Sequence, residues 1–278
     1  MKISKTIDKK ADASFAIKLT VPAKLVQDQY QEVLQKESQT VIVQGFRQGK
    51  APTDLVEKQV GPENIYQKVI GLLVGQAYQE SVKEFDLKPI IPPEVKLISN
   101  KKGEDWQLEI NSCQTPIVEL GTFLDEVKKL NAKEKIWVPG KDTGDKEKQD
   151  AQVKKQEQLQ KIFDLLIKTA KITLPAILLQ YEINRKLASL VDQVQKVGMD
   201  VGQYLNSKGM TLDQAKQQYQ KEIESSWQIE LALEKIADES KIVVSPEEVK
   251  KLEDQGAQAY MAVQLLRQQK TLEFLLSL

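Results

Sequence analysis

The chain has 278 residues, a length that suggests about two domains, and its 40 Lys and Arg balance 40 Asp and Glu. A net charge of zero excludes a whole-protein basic field for nucleic acid, so any such contact is local. With no histidine and a single cysteine, Cys113, the chain cannot build Ser-His-Asp or Cys-His catalysis, a histidine-ligated or thiolate zinc site, or an internal disulfide.

No run approaches the roughly 18 apolar residues of a membrane span. Met1-Lys2-Ile3-Ser4-Lys5 lacks the apolar stretch of a secretory signal, so a cytoplasmic location is expected.

Residues 1–116 read as α+β. Strands are predicted at 6–7 and 13–21, where Phe15, Ile17, Leu19 and Val21 alternate with Ala16, Lys18 and Thr20 at the period of a half-buried strand. Pro22 opens a helix to about residue 38 with Leu25, Val26, Tyr30, Val33 and Leu34 on one face. The octet Gly45-Phe46-Arg47-Gln48-Gly49-Lys50-Ala51-Pro52 then reads as an exposed tip. An aromatic sits beside two cations, between glycines, and no acidic residue lies between Glu37 and Asp54. Arg47 offers a planar fork of donors for carboxylate or phosphate, and the glycines permit a tight turn. An ordinary turn with Phe46 folded into the core is the alternative reading.

A short helix is predicted from near Pro52 and a longer one from Pro62, carrying Ile65, Val69, Leu72, Leu73, Ala77, Val82 and Phe85. Pro89, Pro92 and Pro93 end helical structure. Strands at 95–98 and 106–113 follow, joined by a turn at 101–104, and Cys113 reads as a packed strand residue.

Residues 117–145 read as a linker, with Pro139-Gly140 and Gly144 marking a loop. Asp142 and Asp145 lack the regular spacing and terminal Glu of a calcium loop. No Gly-Lys-Ser/Thr phosphate loop occurs, so neither metal nor cofactor is expected.

Residues 146–278 read as all-α. Helices are predicted at 145–170, from Pro175, around Tyr204-Leu205, behind a Thr211/Gln214 capping box, behind Ser245-Pro246-Glu247-Glu248, and over 260–278.

The order of these parts resembles the bacterial trigger factor family of ribosome-associated chaperones. The octet is similar to that family's ribosome-binding signature, Gly-Phe-Arg-x-Gly-Lys-x-Pro. Gln203-Tyr204-Leu205-Asn206-Ser207-Lys208-Gly209-Met210-Thr211, Lys241-Ile242-Val243-Val244-Ser245-Pro246-Glu247-Glu248-Val249 and Leu272-Glu273-Phe274-Leu275 resemble its C-terminal domain. Two departures stand out. Gln48 occupies a position where many members carry Lys. The family's FKBP-type prolyl isomerase domain has no room, because residues 111–171 hold only Phe123, Trp137 and Phe163 as aromatics.

The resemblance implies an α+β ribosome-binding domain (1–116) with a helix-loop-helix tip, a linker in place of the isomerase (117–145) and a helical client-binding domain with extended arms (146–278). It implies an ATP-independent chaperone rather than an enzyme. Gly45, Phe46, Arg47, Gln48, Gly49, Lys50 and Pro52 would dock on the large ribosomal subunit near the exit tunnel, on protein or rRNA. Tyr181, Met199, Tyr204, Met210, Trp227, Tyr260 and Met261 are the candidate contacts to nascent or unfolded polypeptides. An aromatic or Met at helical spacing also serves as core, and the residues leave both roles open for each. No membrane partner is implied, and a homodimer is left undecided. A prolyl isomerase, a holdase resembling periplasmic chaperones, and a helical scaffold for one folded partner are the competing readings.

Overall fold

The computed structural model describes residues 2–101, 103–134, 146–256 and 258–278; for residues 133, 134 and 146–152 it describes the backbone. The chain divides into two compact units, Met1–Thr115 and Pro116–Leu278.

In the first unit, β1 (Ser4–Lys9), β2 (Ser14–Val21), β3 (Glu94–Ser99) and β4 (Trp106–Cys113) form an antiparallel sheet of order β1-β2-β4-β3. The alternation in β2 sends Phe15, Ile17, Leu19 and Val21 into the core and leaves Lys18 in water. Register aligns Ile7, Ile17, Ile110 and Val95 in one row across all four strands. Ile17 and Ile110 of that row, with Phe15, Leu19, Val21 and Leu108, belong to the core on which the helices pack; Ile7 packs against it, while Val95 at the sheet edge is exposed. The helices are α1 (Ala23–Thr40), α2 (Thr53–Val60) and α3 (Pro62–Glu84), contributing Val26, Tyr30, Val33, Leu34, Val56, Ile65 and Val69.

Polar contacts fix the helices on this core. Asp105 at the start of β4 accepts a hydrogen bond from the Ala23 backbone N–H at 2.9 Å, capping α1 from 82 residues away. Lys5 on β1 bridges Glu80 and Glu84 of α3 at 2.9 and 3.2 Å. Tyr30 of α1 donates to Glu57 of α2 at 2.5 Å, and burial, then that carboxylate, raises the phenol pKa. Cys113 is fully buried, and burial pushes its thiol up to about 12, which fits packing rather than reactivity.

Among its described residues the regular structure of the second unit is helical apart from a two-residue pair, β5 (Val118–Glu119) with β6 (Lys171–Ile172). Its helices are α4 (Phe123–Glu134), α5 (Lys146–Thr169), α6 (Ala176–Lys196), α7 (Val201–Ser207), α8 (Leu212–Glu239), α9 (Pro246–Glu253) and α10 (Ala259–Ser277). Capping boxes start α7 at Asp200/Gln203, α8 at Thr211/Gln214 and α9 at Ser245/Glu248.

This unit holds two cores. The larger joins Phe123, Val127, Ile162, Leu166, Ala232, Leu233, Ile236 and Leu275. The smaller joins Leu190, Val194, Leu205 and Ala215. Helix α8, with 28 residues and a length of about 42 Å, contributes to both: Ala215 near its start, Ile236 near its end. The α6–α7–α8 end therefore stands on a core of its own.

One expectation is corrected here. Residues 118–134 are not a linker: they form β5 and α4, and Phe123 and Val127 are fully buried. Phe123, Val127 and Leu130 fall at i, i+4 and i+7, the stripe of a core-facing helix. Asn131, also buried, donates to the Leu275 carbonyl and accepts from Gln158, both at 2.8 Å, so it ties α4 to α10 and α5. Pro139-Gly140, Asp142, Gly144 and Asp145 lie outside the described residues.

Candidate functional site

The tip is residues 41–52, between α1 and α2. It is built from two consecutive turns. The Phe46 N–H donates to the Val43 carbonyl at 3.0 Å, and the Lys50 N–H donates to the Arg47 carbonyl at 2.9 Å. Each turn has glycine third, Gly45 at φ +86 and Gly49 at φ +77, a conformation that disfavours any side chain. No atom lies within 4 Å of where a Gly45 Cβ would stand, so the requirement there is backbone conformation and not space. Pro52 sits just before α2, and its carbonyl accepts from the Leu55 and Val56 N–H groups to open the helix.

The tip is anchored by Val43, which is buried, while the next seven residues are exposed. Phe46 is 41% exposed, which removes the reading in which it fills the core. Arg47 and Lys50 have no side-chain ion-pair or hydrogen-bond partner among the described residues. Gln48 differs: its Nε2 donates to the Thr40 carbonyl at 3.2 Å, at the end of α1.

Three tip features were not foreseen. Ile42 is 70% exposed beside the first turn, and Leu55 is exposed on α2. Gln59 of α2 donates to the Ile42 carbonyl at 2.8 Å. The apolar pair was readable as flanking hydrophobics. The Gln59 bond joins residues 17 apart through side-chain geometry and has no sequence signal.

The seven candidate contacts of the helical unit separate by environment. Tyr260 and Met261, on the first turn of α10, are 76% and 62% exposed, and Met199 between α6 and α7 is also exposed. Tyr204 and Met210 pack against the small core with Leu205 and Val194, so these two support the α6–α7–α8 end. Tyr181 on α6 and Trp227 on α8 are half-buried.

Val263 and Leu265, absent from the sequence-derived set, join Tyr260 and Met261 as exposed apolar residues on α10. The segment Tyr260-Met261-Ala262-Val263 is apolar at consecutive positions, wider than one core-facing stripe, and that was the available signal.

Between α8 and α10 lies a cleft whose walls include Leu233, Ala237, Tyr260 and Val263, with Glu230, Glu234 and Arg267 among the polar groups. Burial, then Glu234 and Glu182, raises the pKa of Glu230. Arg267 pairs with Asp238 across the same two helices. Lys270 of α10 donates to Glu248 of α9 at 2.7 Å. That bond, then those from Ser245, hold the Glu248 carboxyl at about 2.

Among the described residues no group of three metal-ligating side chains converges, and no helix is long and apolar enough to cross a membrane. The arrangement offers an exposed basic-aromatic tip and exposed apolar helix faces.

Two family models match the chain in succession, and the boundary between the matches falls later in the chain than the boundary between the two compact units. A family model described as bacterial trigger factor protein matches residues 3–142, and one described as bacterial trigger factor protein C-terminus matches residues 144–277. The two matches abut, with residue 143 between them.

Among curated relatives, the trigger factor of Staphylococcus carnosus (strain TM300) is 33% identical over 128 residues, 46% of this chain and 29% of that protein. That of Staphylococcus aureus (strain JH9) is 35% identical over 118 residues, 42% of this chain and 27% of that protein. The chain thus spans less than a third of the length of these relatives.

A solved structure described as "Promiscuous Substrate Recognition in Folding and Assembly Activities of the Trigger Factor Chaperone" covers 100% of this chain and 99% of its own, with a TM-score of 0.63 and 12% identity. At that identity the likeness speaks for the fold.

Proposed function

The chain belongs to the bacterial trigger factor family, and on that premise we propose that it is an ATP-independent chaperone that docks at the ribosomal exit tunnel and holds nascent or unfolded polypeptides. The observation that carries the docking half is the tip. Phe46 stands exposed on a glycine-shaped turn, beside Arg47 and Lys50 with no intramolecular partner among the described residues. An aromatic anchor flanked by unpaired cations suits an apolar notch rimmed by carboxylate or rRNA phosphate. Gly45, Gly49 and Pro52 shape the turn and open the next helix, and Gln48 braces it.

Client holding requires many weak apolar contacts rather than one pocket. Tyr260, Met261, Val263 and Leu265 on α10, with Met199, are exposed and suited to that work. Methionine adapts to varied partners. With no nucleotide site implied, release follows from weak affinity and client folding. The cytoplasm is the location this role requires.

A photoreactive phenylalanine analogue at position 46 tests the docking half. The expected products are crosslinks to large-subunit components at the tunnel exit; crosslinks confined to soluble proteins would contradict the reading. Because the two matched segments abut, we also infer that no isomerase domain lies between them. The protein is expected to leave prolyl isomerisation of an unstructured peptide unaccelerated in a protease-coupled assay; clear acceleration would overturn this.

A further inference from the structure

We infer that Gln48 and Gln59 are positioning residues for the docking tip, which they hold in its docking conformation before any partner arrives; this rests on the docking reading above. The chain leaving α1 presents a succession of carbonyls that helix geometry no longer satisfies. The last helical bond runs from the Val41 N–H to the Glu37 carbonyl. The Thr40 carbonyl takes Gln48 Nε2 at 3.2 Å, from inside the tip. The Ile42 carbonyl takes Gln59 Nε2 at 2.8 Å, from α2 on the other side. The Val43 carbonyl takes the Phe46 N–H at 3.0 Å. The entry strand of the tip is therefore fastened by two side-chain amides as well as its own turn.

The fastening connects to rigid structure. Helix α2 is fixed to α1 through Tyr30 and Glu57 at 2.5 Å, and Val56 of α2 is fully buried. Gln59, two residues beyond Glu57, carries that rigidity to Ile42. Arg47 and Lys50 stay free among the described residues for a partner because the loop is held by neutral amides and not by ion pairs. A loop ordered in advance loses less conformational entropy on binding. Gln48, which stands where a third cation would otherwise add charge, therefore contributes order to this tip.

Loss of a brace lowers the population of the competent tip, and apparent affinity falls by that fraction. The fall belongs in the association rate, with dissociation and salt dependence unchanged, because the cations that meet the partner are untouched.

The test uses the full chain. Gln59→Met keeps side-chain length and removes the donor; Gln59→Lys returns one. Backbone hydrogen exchange over residues 41–52 and association and dissociation rates with ribosomes are measured for both, with Phe46→Ala/Arg47→Ala as the docking control. For Gln59→Met the expected result is faster exchange confined to the tip. Association is expected to slow by up to about fivefold, the full worth of one ordinary hydrogen bond, with dissociation unchanged. Gln59→Lys should recover wild-type exchange. Unchanged tip exchange in Gln59→Met would overturn the proposal, as would faster exchange with an unaltered association rate. If the control double variant bound ribosomes as wild type does, the docking reading itself would fail, while the exchange arm would still report on the brace.

Discussion

Single side chains decide how the tip and its supports behave. At Gly45 the cost of any other residue is conformational, so Gly45→Ala should weaken tip order by about 1–2 kcal/mol without a clash, read as faster local exchange with little change in melting temperature. Glu248 carries a pH dependence of known sign. Its carboxyl is held at about 2, below its ordinary range, by Lys270 and Ser245. Its stabilising contribution is therefore present above the unfolded pKa of about 4.5 and lost as pH falls through about 2. Glu248→Gln should lower the melting temperature at pH 7, and the difference from wild type should close as pH approaches 2; a difference constant across that window would contradict the assignment. Cys113, buried with its thiol at about 12, should resist alkylation at pH 8 until the first unit unfolds. The exposed tip at Phe46 and Arg47 was legible because aromatic, cation and glycine stand adjacent in sequence. Gln59 was not, because its partner lies 17 residues away and glutamine carries no pattern.

At the scale of elements, periodicity and punctuation carried most of the fold. The alternation of β2 and β4, the proline starts before α1 and α3, and the boxes at Thr211 and Ser245 all place elements where the structure has them. Helix α4 escaped because its apolar stripe is short and its key polar residue, Asn131, is satisfied by partners 27 and 144 residues away. The two cores along α8 were equally hidden, since a continuous helical pattern does not say which neighbours each end meets. That division has a consequence. Leu205→Ala, in the small core, should lower exchange protection at the α6–α7–α8 end by about 2–5 kcal/mol and leave α4 and α10 unchanged. Phe123→Ala should do the reverse, destabilising the larger core by about 3–5 kcal/mol. Loss of protection throughout the unit from Leu205→Ala would mean the two cores act as one.

For the whole molecule, the proposed function assigns the two units different tasks: the first carries the exposed basic-aromatic tip and the second carries exposed apolar helix faces. Net neutrality gives that proposal a consequence: docking through a few local cations is expected to be sensitive to salt. The sequence could not show which of the candidate apolar residues are exposed. Met and Tyr at helical spacing look alike in a core and on a surface, and only packing separated Tyr204 and Met210 from Tyr260 and Met261. The most direct test of the central claim is co-sedimentation with 70S ribosomes at low and moderate salt, comparing wild type with Phe46→Ala/Arg47→Ala. The account predicts binding by wild type that weakens with salt and is lost in the double variant; equal binding by the two proteins, or none by wild type at low salt, would contradict it.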